Sequence, residues 1–188
     1  MNDYAELARF IENLVRIGTI AEIDLVNARV RVQTGDLLTG WLPWLAPRAG
    51  ADREWDPPTI GEQALLLSPS GQTANGVALV GLFSDQLPAN GNRAGLHRRT
   101  YADGAVIAYD SQEHHLHAQL PDGGTTLLIS TGGIHLSGDL TLDGDLIQTG
   151  NQSVAGKVTV TQDVVAAGVS LVNHDHIGNL GNPTSKPR

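Results

Sequence analysis

A chain of 188 residues with 22 glycines, 4% aromatics and no cysteine has room for one or two small domains of short strands and turns, and it excludes disulfides, zinc ribbons and thiol nucleophiles. Its formal net charge of −8 speaks against a basic nucleic-acid groove or a polybasic membrane anchor. No apolar run approaches the roughly 18–20 residues of a membrane-spanning helix, and MNDYAELARF lacks the basic and apolar regions of a secretory signal. The chain is therefore expected to be made in the cytoplasm without a signal peptide, and to reach any site outside the cell by another route.

In chain order, Leu7, Phe10, Ile11 and Leu14 recur at helical spacing and predict a helix over 1–16. Asp3 and Glu6 stand at capping-box spacing, and Gly18 is the expected stop. Such a helix packs on its own domain or docks on a partner. From Ile17 the period changes to two. IGTIAEIDLVNARVRVQTG reads as two strands joined by a turn near Val26 and Asn27, and LLTGWLPWL, GEQALLLSPSG and GVALVGLFSD supply three more. Five short strands over 17–90 predict an OB-fold barrel. Between the third and fourth strands, APRAGADREWDPPTI is a long polar loop of the kind that carries a contact surface. Trp41, Trp44 and Trp55 could stack bases, but the acidic balance favours burial or a protein–protein interface.

Residues 91–131 form a linker and the start of a shaft. They hold a small basic cluster, Arg93, Arg98 and Arg99, then short strands around Val106 and from His115 to Leu120, then a hairpin signal in LPDGGTTLLIS.

From Gly132, glycine returns at 138, 144, 150, 156 and 168, missing once at Gln162. The hexads place Ile134, Leu136, Leu140, Leu142, Leu146, Val154, Val158, Val160 and Val164 at third or fifth positions, which point the same way along a strand. A repeat this regular over 132–171 predicts a β-helix or β-prism. About seven hexads make little more than two coils of a single-chain solenoid, whose repeats need neighbours to bury their faces. Three chains around one axis would turn the same hexads into a long apolar-cored shaft, so a homotrimer is expected.

The apex, 172–188, holds His174 and His176. Continued strand alternation would put both on one face with Asp175 pointing away. If that face looks along a threefold axis, three chains bring six imidazoles to one point, an octahedral shell with no open position. Such a metal is structural, and the coordination number disfavours zinc. The second pair, His115 and His117, lies in a polar stretch and reads as strand surface.

GWLPWLAPRAG, W-DPP, GEQALLLSPSG, GVALVGLFSD, the glycine-paced hexads and the terminal AGVSLVNHDHIG together resemble the central spikes of contractile tails, the baseplate assembly protein V family of phages and its relatives in R-type pyocins. The resemblance covers nearly the whole chain. It implies a homotrimeric, membrane-piercing needle assembled into the tail baseplate. The OB domain seats on the tail hub, and the spike crosses the target bacterial outer membrane when the sheath contracts. It further implies one iron ion at the apex, a role that falls on His174 and His176. No catalysis, small-molecule substrate or nucleic acid is implied. Two other classes compete: a trimeric hexapeptide-repeat acyltransferase, for which His135 is the only histidine within the repeat, and an OB-fold nucleic-acid binder, which the charge opposes.

Overall fold

β1 (Val15–Asp24) organises the N-terminal part of the protein, because it pairs with a strand on each side. The computed structural model describes residues 3–178 and 181, and the chain divides into two units, 1–128 and 129–188. In the first unit, β2 (Arg29–Thr34) alternates strictly: Val30, Val32 and Thr34 point into the core, while Arg29, Arg31 and Gln33 point away. Ile20 stands opposite Val32 and Ile23 opposite Val30, with a bulge between Ile20 and Glu22. β3 (Leu37–Leu38) continues from β2, and β4 (Gln63–Leu67) and β5 (Val77–Leu82) extend the other edge. The strand order is β3-β2-β1-β4-β5. Ile20, Val30, Val32, Ala64 and Ala78 form the core, with Ile23, Trp44 and Val80 packed against it.

The expected barrel is corrected here: the five strands do not close as one continuous ladder. Beyond β3 the chain touches both edges only at single points. Leu42 exchanges both backbone hydrogen bonds with Val30 (2.8 Å each), Leu45 N–H donates to the Ala78 carbonyl (2.9 Å), and Ala78 N–H donates to the Pro43 carbonyl (3.0 Å). Pro43 has no N–H to give, so the ladder is interrupted where it would close.

The expected helix is α1 (Asp3–Asn13), shorter than predicted, and β1 starts two residues after it. Gly18 is therefore not a helix stop but a residue inside β1. A Cβ there would run into the Gln33 carbonyl oxygen and the Val32 side chain, so glycine lets β2 approach closely. α1 leans on the turn Pro69–Gly71, where Gly71 has φ +69° and its Cα faces the Phe10 backbone. Phe10 is half-buried, whereas Tyr4, Leu7, Ile11 and Leu14 remain exposed.

β6 (Leu96–Thr100), β7 (Val106–Asp110) and β8 (His115–Gln119) form a separate antiparallel sheet in that order. β6 takes up Arg98 and Arg99 of the basic cluster, which Arg93 precedes. The expected hairpin after Leu120 is half correct. Gly124 N–H closes a turn on the Pro121 carbonyl at 2.8 Å, but the residues after it do not pair back.

In the second unit, the hexads form no strand of their own between Gln119 and Val165. Straight runs alternate with bends at 138, 144, 150, 155–156 and 161–162, one per hexad. The last falls at Gln162, where the glycine is missing, so the kink follows the period and not the residue. Every residue from 129 to 162 is exposed, including all the apolar third and fifth positions in that span. A short hairpin, β9 (Val165–Ala166) and β10 (Val169–Ser170), then turns through Ala167 (φ +49°) and Gly168 (φ +83°). Positive φ at both central residues is the two-residue hairpin geometry whose twist matches that of the strands.

Candidate functional site

The histidine pair follows this hairpin directly. His174 and His176 are not on a strand, contrary to expectation: the chain turns over 171–173, because Leu171 N–H bonds the Val164 carbonyl (3.0 Å) and His174 N–H bonds the Ser170 carbonyl (3.2 Å). The two rings are nevertheless brought together, with centroids 5.1 Å apart and planes at 86°. Nδ1 of the half-buried His174 lies 2.7 Å from the Ser170 carbonyl oxygen. A carbonyl can only accept, so Nδ1 carries the proton and the Nε2 lone pair of the neutral ring is left for a ligand.

Ser170 and Asp163 hold this turn. Ser170 Oγ accepts from Asn173 N–H at 2.8 Å, and Asp163 Oδ1 accepts from Val172 N–H at 3.2 Å. The Ser170 hydroxyl, followed by the N–H groups of Val172, Val164 and Leu171, holds the Asp163 carboxyl below its ordinary value against a smaller opposing effect of burial. Among the described residues, no group of three or more His, Asp or Glu is placed to hold a metal ion. Among the described residues, one chain thus brings a pair. Residues 179, 180 and 182–188 of the expected apex lie outside the described residues.

His115 and His117 stack at 5.9 Å on the exposed strand β8, as expected of strand surface. His135 is exposed. The basic cluster is consumed locally: Arg93 pairs with Asp110 and reaches Glu113 at 3.5 Å, Arg98 donates to the Asn90 carbonyl at 3.2 Å, and Arg99 pairs with Asp56 at 2.5 Å and lies over the Tyr101 ring. Burial opposes the charged form of Asp110, yet the N–H groups of Gln112 and Glu113 together with Arg93 hold its carboxyl below the ordinary value. That ion pair fastens the β7–β8 turn.

The tryptophans divide. Trp44 is half-buried against the core, Trp41 lies under the Arg31 guanidinium at 5.8 Å, and Trp55 leans on Trp44 (centroids 5.6 Å, 58°) while remaining 61% exposed. Between the β1–β2 turn and the loop carrying Trp55 runs a cleft of about 480 Å³. A larger depression of about 730 Å³ lies beside Pro57, Phe83 and Tyr101. No helix among the described residues is long and apolar enough to cross a membrane.

Comparison with known proteins agrees with this architecture. A family described as the Type VI secretion system/phage-baseplate injector OB domain matches residues 16–83, the span of the five-stranded sheet. The spike protein of Escherichia phage P2 is 31% identical over 202 aligned positions, covering 97% of this chain and 96% of that protein. Similarity along nearly the whole of both chains, with the injector domain over the sheet, shows that the protein belongs to the phage-baseplate spike family.

Proposed function

We propose that the protein is the central spike of a contractile tail, in a phage or an R-type pyocin, and works as a homotrimer. Three copies wind their hexads into one shaft, each chain supplying one wall. The OB domain seats the trimer on the tail hub within the baseplate, and sheath contraction drives the shaft through the outer membrane of the target bacterium. The role is mechanical. The spike needs to be stiff, narrow and hard to unfold, and it needs no catalytic group. An acyltransferase or a nucleic-acid binder would not explain kinship with a spike along the full chain.

The observation that carries this reading is the state of the hexads. From 129 to 162 the apolar side chains are exposed, and among the described residues the backbone bonds to itself once, Gly133 N–H to the Ser130 carbonyl at 3.2 Å. Water can satisfy an exposed backbone, but a contiguous apolar face of this length calls for a partner, and covering it also buries backbone groups that then need one. Copies of the same segment meet both needs, as repeats do when they stack.

At the tip, His174 and His176 would hold one iron ion per trimer, three pairs giving six nitrogens; iron is the metal the family resemblance implies. The residues fit. With metal–nitrogen bonds near 2.1 Å, two imidazoles in adjacent positions have centroids about 4.5–5 Å apart, against the 5.1 Å found, and the Ser170 carbonyl selects the tautomer with a free Nε2. A bound ion would cross-link three chains at the end most prone to fraying.

Native mass spectrometry with metal analysis tests the whole reading. A trimer carrying about one iron is expected. A monomer overturns the shaft, and a metal-free trimer overturns the tip.

A further inference from the structure

The cleft beside Trp55 has no part in the shaft or the tip, and both its walls are fixed before anything enters. One wall is the β1–β2 turn. There Asp24 Oδ1 accepts from the N–H groups of Val26 and Asn27 at 3.0 Å each, and Asn27 Nδ2 donates to Asp24 Oδ2 at 2.7 Å. The other wall is the loop from 46 to 55, held by Glu54 N–H on the Arg48 carbonyl (3.0 Å), Gly50 N–H on the Asp52 carbonyl (3.1 Å) and a bridge between Ala49 and Arg53. Every residue from 47 to 56 is exposed, so this loop covers no core. It is ordered and holds out a tryptophan, where burial of that ring would stabilise the chain by several kcal/mol, of order 25 cal/mol per Å².

The cleft gathers three arginines in an acidic chain. Arg29, Arg48 and Arg53 line it with Glu54, while the wall carboxylates Asp24 and Asp52 are engaged with the turn amides and with Arg48. Among the described residues the Arg29 and Arg53 guanidiniums have no side-chain partner, and Arg48 reaches only the exposed Asp52, at 4.0 Å. We propose that this cleft receives an extended acidic peptide segment of another protein, with a proline or aliphatic side chain seated on the Trp44–Trp55 pair and flanking carboxylates on Arg29 and Arg53. Proline and aliphatic groups suit an aromatic-lined groove, and guanidinium pairs with carboxylate in two-pronged fashion. Rigid walls reduce the ordering cost on binding. A single nucleic-acid strand fits less well. It needs successive stacking platforms along a run of cations, whereas the two rings are tilted at 58° and Glu54 stands among three arginines.

Fluorescence anisotropy on the full-length protein tests this, using a labelled peptide with a Leu–Pro pair flanked by two glutamates on each side and its counterpart with lysines. The acidic peptide should bind saturably and weaken with salt, and Arg53→Ala or Trp55→Ala should raise its Kd at least tenfold. Arg98→Ala should not, and the lysine peptide should not bind. Because Trp55→Ala could perturb the loop, Arg29→Glu, at an exposed position outside that loop, serves as a second variant with the same expected loss. The proposal is overturned by no saturable binding up to millimolar peptide, by equal binding of the lysine peptide, or by indifference to Arg53→Ala and Arg29→Glu. It is also overturned if a thymidine oligonucleotide binds more tightly at the same residues, or if Trp55→Ala changes the oligomeric state, which would make the cleft a contact between copies.

Discussion

In β2, Val30 and Val32 alternate with polar residues and are completely buried; in the hexads, Leu140, Leu142, Val158 and Val160 alternate in the same way and are 76, 55, 65 and 48% exposed. The two stretches carry one sequence signal and meet opposite fates. β2 finds β1 within its own unit, with Ile20 and Ile23 opposite its valines. The hexads find no strand within the chain among the described residues. Alternation states that one face will be covered, and says nothing of what covers it.

The comparison breaks most visibly at the shaft. In the proposed trimer, Leu140→Asp or Val158→Asp sets three carboxylates together near the axis, where desolvation and like-charge repulsion combine. Assembly should fail outright by light scattering, while Thr159→Asp, on the opposite face, should assemble normally. Equal sensitivity of the two faces would mean that the hexad valines and leucines are surface in the assembled protein too.

A core substitution in the first unit should act differently. Leu66→Ala removes a fully buried side chain and should lower the stability of that unit by about 2–5 kcal/mol, read as an earlier thermal transition by tryptophan fluorescence. The mass of the proposed trimer should be unchanged, because the hexads are untouched. Loss of the trimer along with the sheet would show that the two units do not fold separately.

At the proposed tip, His174→Ala should strip nearly all metal, since the proposed threefold axis would repeat each substitution three times. The shaft should still trimerise, with faster proteolysis near residue 174. His117→Ala should keep its full metal content. The reverse pattern would move the site to the other histidine pair.

The smallest effect expected is at Asp163. Its carboxyl is held below the ordinary value, so the charged form favours the folded turn. That contribution is fully present above about pH 4 and is lost as pH falls through the lowered folded value. Asp163→Asn should therefore reduce hydrogen-exchange protection at Leu171 and Val172 by several-fold at neutral pH, and acid should erase the difference between variant and wild type. A difference that persists at pH 2 would assign the protection to packing, not to the carboxylate.

Much of this was written in local periodicity. The two-residue period located β1, β2, β4 and β5, and the six-residue period located the bends, even at Gln162. His174 and His176 were legible as a pair, although the strand expected to carry them is a turn. The roles of Ser170 and Asp163 were not legible: a carbonyl and a carboxylate six and thirteen residues before His176 carry no pattern until the β9–β10 hairpin folds them back. β6 was hidden because Leu96–Thr100 is mostly charged and polar, and only its pairing with β7 makes it a strand.

Periodicity is a property of consecutive residues, so the chain alone determined which faces are apolar, where the hexads kink and how little of their apolar face a single copy can cover. Distances between segments far apart in sequence are another matter. That Gly18 admits the β2 backbone, that Pro43 interrupts the closing edge of the sheet, and that Trp55 is held out against Trp44 beside unpaired arginines were decided by the tertiary structure, because each depends on which backbone atoms of a remote segment arrive, and how closely.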